Sequence, residues 1–162
     1  MLVVGIDLAG RPTNPTGFCV FRDSNSETKL LSTDEEIVDE VKALKPECVA
    51  IDAPFWIPRS GLRVVPWRNC ERRLMERGFR PLSPALPTMQ ELVVRASTLV
   101  KQLRDLGFTV IEVFPKATEG IFGLSKEEGK NEHEYEALLC GLTAVAFVRG
   151  NYEDLDGIVI PR

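Results

Sequence analysis

Cysteine is scarce in this sequence, and the cysteines that are present lie far apart. The chain of 162 residues has four, Cys19, Cys48, Cys70 and Cys140. No two of them have the close spacing that zinc sites and redox-active dithiols use. We therefore expect neither kind of site but buried free thiols, with Cys70 alone close enough to arginines for its pKa to be lowered.

Long apolar runs are absent as well. The longest apolar stretches fall far short of a membrane span, and residues 1–4 lead into a strand without a basic leader or a cleavage-site pattern. We expect a cytoplasmic protein that does not act at a membrane. A content of 44% hydrophobic and 27% charged residues suits one globular domain over residues 1–162 with a sizeable core.

Positive charge is in the minority, yet it is concentrated in one segment. The net charge of the chain is −4, but residues 59–80 contain seven arginines and only two acids, so that segment is +5 and the remainder is −9. The segment belongs to a basic insert at about residues 54–88 that is also rich in aromatic residues and proline. Arginines interleaved with aromatic residues suit phosphate contacts combined with base stacking.

Five residues of this insert are the candidate substrate contacts: Arg59, Arg63, Trp67, Arg68 and Arg72. They would bind nucleic acid. The alternative is that residues 67–77 form a solvated helix face whose arginines pair with acids elsewhere in the chain. The sequence leaves both interpretations open.

Two short apolar runs end in an aspartate. Asp7 closes the run that begins at Val3, and Asp52 closes the run that begins at Cys48. Each run predicts a buried strand, and on parallel neighbouring strands the two carboxylates would share one edge of the sheet. Because adjacent carboxylates repel each other unless a cation or a shared proton relieves them, the pair predicts a divalent-metal site.

A third acid, Glu112, lies near the end of a later strand. It is a candidate metal ligand or a support for the ligands. The competing interpretation is structural, because an acid at a strand end also forms ion pairs with an arginine such as Arg68.

The periodicity of apolar residues predicts an antiparallel meander followed by alternating helices and strands. The first three strands cover residues 2–8, 17–22 and 27–31. A helix with a capping box of Thr33 and Glu36 then leads to a strand at 48–52, and such a crossover makes that strand parallel to its neighbour. The remaining predicted elements are helices at 67–77, 88–106 and 131–149, a strand at 108–115, and a tail at 156–161 that forms an edge strand or a docked extension.

The order of these elements resembles the ribonuclease H fold. The segments that narrow the resemblance are Gly5–Gly10, Ile51–Pro54, Arg68–Glu71, Ile111–Pro115, His133–Cys140 and the ending Gly157–Pro161. Together they resemble an uncharacterised family of predicted ribonuclease-H-like nucleases, domain of unknown function 429. The resemblance implies an α/β fold with a mixed central sheet, the antiparallel three-strand meander followed by parallel strands, flanked by helices.

The resemblance also implies a metal-dependent nuclease. It would hydrolyse phosphodiester bonds of DNA or RNA by two-metal phosphoryl transfer with Mg²⁺ or Mn²⁺. The implied metal ligands are Asp7, Asp52 and Glu136, and Glu112 and His133 complete the candidate catalytic set. Glu71 and Glu136 stand where the family usually has aspartate, and the longer side chain makes indirect or altered coordination an open alternative.

His133 is the only histidine of the chain. It lies three residues before Glu136, so the two side chains share a face of the last helix. There His133 would assist proton transfer or orient a carboxylate. The alternative is an exposed residue in a first turn whose acids stabilise the helix N-terminus.

Two further function classes compete with the nuclease. The Gly5-Ile6-Asp7 opening also resembles the phosphate-binding start of actin-like ATPases and sugar kinases. Those enzymes hold a nucleotide between two related domains, so a chain of this length would have to dimerise. The other class is a non-catalytic binding module, in which the fold is retained and the basic insert grips RNA, DNA or another protein.

Overall fold

The computed structural model describes all 162 residues, which form strands, helices and connecting loops. The strands are β1 (Leu2–Asp7), β2 (Thr16–Arg22), β3 (Asn25–Leu31), β4 (Cys48–Asp52), β5 (Arg59–Ser60), β6 (Arg63–Val64), β7 (Val110–Val113), β8 (Tyr152–Asp154) and β9 (Ile158–Pro161). The α-helices are α1 (Asp34–Leu44), α2 (Asn69–Glu76), α3 (Gln90–Asp105), α4 (Pro115–Phe122) and α5 (Glu132–Val148). None of these helices has both the length and the apolar character that a membrane span requires.

Seven of the strands form one mixed sheet in the order β3-β2-β1-β4-β7-β9-β8. The first three strands make the antiparallel meander, and β4, β7 and β9 follow as parallel strands. β8 is antiparallel to β9 at the far edge. The predicted mixed sheet, with a meander followed by parallel strands, is therefore confirmed. β5 and β6 form a separate hairpin within the basic insert.

Local capping fixes the helix that leads from the meander to β4. The Thr33 hydroxyl accepts a hydrogen bond from the Glu36 amide at 3.1 Å, and the Glu36 carboxylate accepts one from the Thr33 amide at 3.3 Å. α1 ends where Lys45 adopts a left-handed conformation with φ of 52°. The capping box predicted from the sequence is confirmed, and an N-terminal cap of this kind contributes about 1 kcal/mol.

The sheet separates two apolar cores because successive strand residues point to opposite faces. Val4 and Ile6 pack with residues of α1 and α3, such as Leu99. Val3 points to the other face and packs with residues of α5, such as Cys140. Burial of each large aliphatic side chain contributes about 1.5–3 kcal/mol. Helices therefore cover both faces, and the ends of the parallel strands remain as the place for polar side chains.

The C-terminal tail differs from its prediction. β9 is not an edge strand or a docked extension, because β7 and β8 pair with it on either side. All four of its residues, from Ile158 to Pro161, are buried. A run of apolar residues without alternation is typical of such an interior strand. The edge position belongs instead to the short strand β8.

One helix was missed because its first residue was assigned to a strand. Pro115 is the first residue of α4 and not the last residue of a strand, and β7 ends at Val113. Gly123 ends α4 in the left-handed conformation with φ of 63°. Proline at the first helical position and glycine just beyond the last one are the signal that identifies this helix in the sequence.

Candidate metal centre

The two strand-end aspartates are direct neighbours. In the parallel pairing of β1 with β4, Asp7 lies opposite Asp52. Both side chains therefore leave the sheet on the same face, the face that α5 covers. The prediction that these strands are adjacent and parallel is confirmed. They are parallel because the helical crossover through α1 returns the chain to the neighbouring strand in the same direction.

Two glycines allow α5 to lie directly on the strands beside these aspartates. A Cβ atom at Gly17 would be 1.9 Å from the carbonyl oxygen of His133, and one at Gly5 would be 2.2 Å from the amide nitrogen of Gly141. Neither distance is possible for real atoms, so any larger residue would push the helix away. The close approach brings the first turns of α5, which carry His133 and Glu136, to the carboxyl end of β1.

The result is a cluster of three carboxylates. One oxygen each from Asp7, Asp52 and Glu136 lies within 4.8 Å of the others. Burial raises the pKa of Asp52 well above its usual range, and the negative charges of Asp7 and Glu136 raise it further. Burial likewise raises the pKa of Asp7 and of Glu136. The three ionised groups thus destabilise one another in the absence of a cation.

His133 orients one member of this cluster. Its Nδ1 atom lies 2.9 Å from Oδ2 of Asp7. Asn131 caps the helix by accepting hydrogen bonds from the amides of His133 and Glu134 at 2.9 and 3.2 Å, which fixes the first turn of α5. An ionised carboxylate only accepts hydrogen bonds, so Nδ1 is the donor of this contact when Asp7 is ionised.

Lys116 is a neighbour of the cluster that the sequence reasoning missed. Its Nζ atom lies 3.7 Å from Oε1 of Glu136 and 3.3 Å from Oε2 of Glu119. The signal for it is its position, because it follows β7 almost directly and so lies at the same edge of the sheet as the aspartates. The side chain is half exposed, so it is a cation at the rim of the cluster and not in its centre.

The structure places Glu112 outside the cluster. Glu112 pairs with Ile51 in the register of β7 with β4, so it faces the side of the sheet opposite to Asp52. Nη1 of Arg68 donates to its Oε2 at 2.9 Å, and the amide of Phe55 donates to the same oxygen at 3.1 Å. The structural interpretation of Glu112 as the partner of Arg68 is therefore the one that the geometry matches.

Arg68 is the centre of a buried ion-pair triad. Besides Glu112 it contacts Glu71, whose Oε1 accepts from Nε at 2.9 Å. Arg68, Glu71 and Glu112 are each less than 6% exposed. The triad fastens the start of α2 to β7. All of the side-chain contacts of Arg68 are thus internal, and we omit it from the surface that would contact a substrate.

The other candidate contacts of the basic insert lie at the surface. Arg59 and Arg63 lie in the exposed β5–β6 hairpin, where Arg59 pairs with Val64 and Arg63 pairs with Ser60. Arg72 is exposed on α2. Trp67 is half-buried. Trp56, in the loop that leads to the hairpin, stacks over the Arg68 guanidinium at 5.2 Å from ring centroid to Cζ.

Cys70 corrects an expectation from the sequence. Burial raises the pKa of its thiol to about 12, and this effect outweighs the positive charge of Arg68, which lowers the pKa. Burial also raises the pKa of Cys19 and Cys48 to about 12 and that of Cys140 well above its usual range. All four thiols are buried and unpaired, as predicted.

Comparison with known proteins places this arrangement in a family. Residues 5–137 match the profile of the family described as "Protein of unknown function (DUF429)". The chain belongs to this family. That the chain belongs to DUF429 confirms the resemblance inferred from the sequence. The matched range includes all three carboxylates of the cluster. No curated protein matches this DUF429 chain in sequence.

A solved structure shows the same fold. The structure of T. thermophilus RuvC in complex with Holliday junction substrate superposes on this DUF429 protein with a TM-score of 0.57, covering 93% of this chain and 96% of that chain at 17% sequence identity. At this identity the likeness establishes the fold alone. The predicted ribonuclease-H-like fold is confirmed.

Proposed function

We propose that the protein is a metal-dependent nuclease that hydrolyses phosphodiester bonds, with Mg²⁺ or Mn²⁺ held by Asp7, Asp52 and Glu136. The observation that carries the proposal is the convergence of three carboxylate oxygens within 4.8 Å at the carboxyl edge of the sheet. The donor set fits the ions, because hard divalent cations prefer oxygen ligands. Asp52 also lacks the hydrogen-bond donor that a purely structural acid has. Arg68 donates to Glu112, whereas no side chain donates a hydrogen bond to Asp52.

The cations would supply electrostatic stabilisation of the attacking and leaving oxygens in a two-metal phosphoryl transfer. The chain's own residues prepare the site for that chemistry. His133 holds the Asp7 carboxylate in one orientation through its Nδ1 proton. Its Nε2 atom is the nitrogen that remains to accept a proton from water and, once protonated, to donate it to the leaving oxygen. Lys116 adds a positive charge at the rim, where a phosphate group would enter.

Nucleic acid is the proposed substrate class, either DNA or RNA. Arg59, Arg63 and Arg72 are exposed on the insert that follows the Asp52 strand, and Trp67 lies among them with part of its side chain accessible. Guanidinium groups bind phosphates, and an aromatic ring can stack on a base. The structural neighbour RuvC was solved with a Holliday junction substrate, which supports nucleic acid as the class without naming the substrate of this chain.

The test is a cleavage assay on fluorescently labelled single-stranded and duplex DNA and RNA, with EDTA, Mg²⁺ or Mn²⁺. We expect cleavage only with a divalent ion. Asp7→Asn and Asp52→Asn should each lower the rate at least about a hundredfold, because a lost metal contact removes several kcal/mol of transition-state stabilisation. Asp39→Asn on the exposed face of α1 is the matched control. Metal-independent cleavage, or equal rates for Asp52→Asn and Asp39→Asn, would contradict the proposal.

A second candidate function is the non-catalytic binding module, and one observation favours it. Lys116 provides a resident cation beside Glu136, which relieves part of the repulsion without a metal. A binding module would retain nucleic-acid affinity in Asp7→Asn and would show no cleavage with either ion. The same assay, combined with a binding measurement by fluorescence anisotropy, separates the two functions.

A further inference from the structure

Two buried side chains hold the backbone of Ala9, which lies in the loop just beyond Asp7. The Thr16 hydroxyl accepts a hydrogen bond from the Ala9 amide at 3.0 Å, and Nη1 of Arg95 donates one to the Ala9 carbonyl oxygen at 2.7 Å. Thr16, at the start of β2, is fully buried, and Arg95, on α3, is 7% exposed. Both backbone groups of Ala9 are therefore fixed from inside the fold.

These contacts lie where the sheet stops holding the chain. In the register of β1 with its two neighbours, Asp7 is the last paired residue, opposite Gly17 on one side and Asp52 on the other. Segments at the ends of such elements open more easily than the interior of a sheet. The backbone on the C-terminal side of the Asp7 carboxylate therefore depends on the contacts of Ala9.

Arg95 is a costly residue for its position in α3. This helix packs on the sheet through apolar side chains such as Leu99. Besides Ala9, the Arg95 guanidinium donates to the carbonyl oxygen of Ser32 at 2.9 Å and to Oδ1 of Asp34 at 2.7 Å, so two of its three acceptors are uncharged. Burial of a guanidinium costs free energy that burial of an apolar side chain of similar size does not. Stability alone therefore does not account for an arginine here.

We infer that Arg95 and Thr16 are positioning residues of the proposed metal site: by holding the backbone of Ala9, they keep the Asp7 carboxylate within the cluster. The inference rests on the proposed function for the bound metal. His133 holds one oxygen of this carboxylate, Oδ2, from the side of α5. The contacts of Ala9 hold the backbone from which the same side chain projects. Removal of a group that orients a metal ligand typically lowers metal affinity by about 10–100-fold.

The first test is Mn²⁺ affinity, measured by isothermal titration calorimetry without any substrate. Arg95→Met and Thr16→Val each remove one contact of Ala9 and keep most of the side-chain volume, and each should weaken Mn²⁺ binding by at least about tenfold. Thr16→Ser keeps the hydroxyl and should retain the wild-type affinity. Asp34→Asn is the matched control, because it removes a charged partner of Arg95 and leaves the contact with Ala9 in place.

The second test needs no metal and uses His133, the only histidine of the chain. When the imidazole is neutral, its proton stays on Nδ1 as long as the ionised Asp7 carboxylate accepts it. The ¹⁵N chemical shifts of the two ring nitrogens, recorded in EDTA at about pH 9, report which nitrogen carries the proton. The wild type, Thr16→Ser and Asp34→Asn should keep the proton on Nδ1. Arg95→Met and Thr16→Val should shift it toward Nε2.

The outcomes separate this inference from the proposed function. Wild-type Mn²⁺ affinity and Nδ1 protonation in both Arg95→Met and Thr16→Val would overturn the inference, because the contacts would then support the fold alone. An equal loss of affinity in Asp34→Asn, or Nε2 protonation in the wild type, would also overturn it. If Arg95→Met does not fold, the comparison of Thr16→Val with Thr16→Ser decides. A wild type that binds no Mn²⁺, with the expected proton shift in the variants, would support the positioning of Asp7 and contradict the metal site.

Discussion

Two acids on neighbouring strands, Asp52 and Glu112, show how the groups around a carboxylate decide its role. Glu112 receives hydrogen bonds from Arg68 and from the amide of Phe55, whereas Asp52 is surrounded by Asp7 and Glu136. Burial raises the pKa of both carboxyl groups, but only Glu112 has a guanidinium that opposes the rise. The ion pair of Glu112 with Arg68 stabilises the fold, whereas the repulsion among Asp52, Asp7 and Glu136 destabilises it unless a cation binds between them.

Asp52→Asn should make the metal-free protein more stable at neutral pH. The folded-state pKa of Asp52 is raised above the ordinary value of 3.8, so the stability that its protonated form provides is complete below that value and is lost as the pH rises through the folded-state pKa. The variant has no such loss. Its advantage in the free energy of unfolding should therefore shrink as the pH is lowered from about 8 toward about 4. Urea denaturation in EDTA over this range measures it.

The control for the lost negative charge is Asp39→Asn, an exposed change on α1. Its stability should follow that of the wild type at each pH. A constant difference between wild type and Asp52→Asn over the whole range would show that Asp52 is not destabilised by its neighbours.

Arg68→Met should lower the free energy of unfolding by about 3–5 kcal/mol, because it leaves Glu71 and Glu112 buried without a positive partner. Arg72→Met, an exposed change on α2, the helix that begins directly after Arg68, should stay within about 0.5 kcal/mol of the wild type. Addition of Glu71→Gln and Glu112→Gln to Arg68→Met should recover part of the loss. Chemical denaturation of the four proteins tests the triad, and a small effect of Arg68→Met alone would argue against it.

The sequence predicts the aspartates of the site better than it predicts the partners of its glutamates. Asp7 and Asp52 each follow an apolar run, and a strand crossover suffices to bring them together. The direction of Glu112 depends on the register of β7, and a shift of one residue would turn it to the other face. Nothing in the local sequence fixes that register, so both interpretations of Glu112 stayed open until the structure was known.

At the scale of elements, the seating of α5 on β1 and β2 controls the geometry of the cluster. Gly17→Ala should destabilise the fold by about 1–3 kcal/mol, since the new methyl group would overlap the backbone of His133. The helix would have to move, which would separate Glu136 from Asp7. Thermal denaturation and Mn²⁺ titration by isothermal calorimetry measure the two effects.

Gly120→Ala is the matched control for that change. A Cβ atom at Gly120, in α4, would be 3.5 Å from the Phe79 ring, an ordinary contact, and alanine favours a helix over glycine. Its stability should equal or exceed that of the wild type. Equal behaviour of the two alanine variants would contradict the role of Gly17.

The β5–β6 hairpin is the element that should set the salt dependence of nucleic-acid binding. If Arg59 and Arg63 each contact one phosphate, the double variant Arg59→Ala with Arg63→Ala should reduce the slope of log affinity against log salt concentration by about 2. Lys42→Ala is the control, because Lys42 lies in the last turn of α1, away from the insert. Anisotropy titrations at several salt concentrations measure the slopes, and an unchanged slope would remove the hairpin from the interface.

The elements that the sequence missed have physical causes. α4 begins directly after β7, and apolar residues continue through the boundary, so the apolar pattern alone does not mark it. The hairpin strands have two residues each, too few for any periodicity. The place of β9 inside the sheet depends on pairing with β7, which lies far away in the sequence. Long amphipathic helices and capped turns were predicted well because their signals are local.

At the scale of the whole molecule, the candidate site is assembled from the two ends of the chain. Asp7 and Glu136 come together only when β1 is paired with β4 and α5 has docked on the sheet. The sequence motifs of the family therefore mark separate elements, and their convergence is a property of the complete fold. The single domain over residues 1–162 and the cytoplasmic location stay predictions.

The four buried cysteines allow the local opening of the fold to be measured by thiol labelling. Two of them, Cys19 and Cys140, lie between the sheet and α5, and Cys70, on the buried side of α2, lies in a separate apolar cluster. With thiols that are both shielded and hard to ionise, a reagent such as DTNB can react only when these layers separate. The labelling rate of the native protein should therefore follow its unfolding. Any divalent ion that binds between Asp7 and Asp52 should slow that rate at Cys140, whose thiol is close enough to feel the charges of both carboxylates.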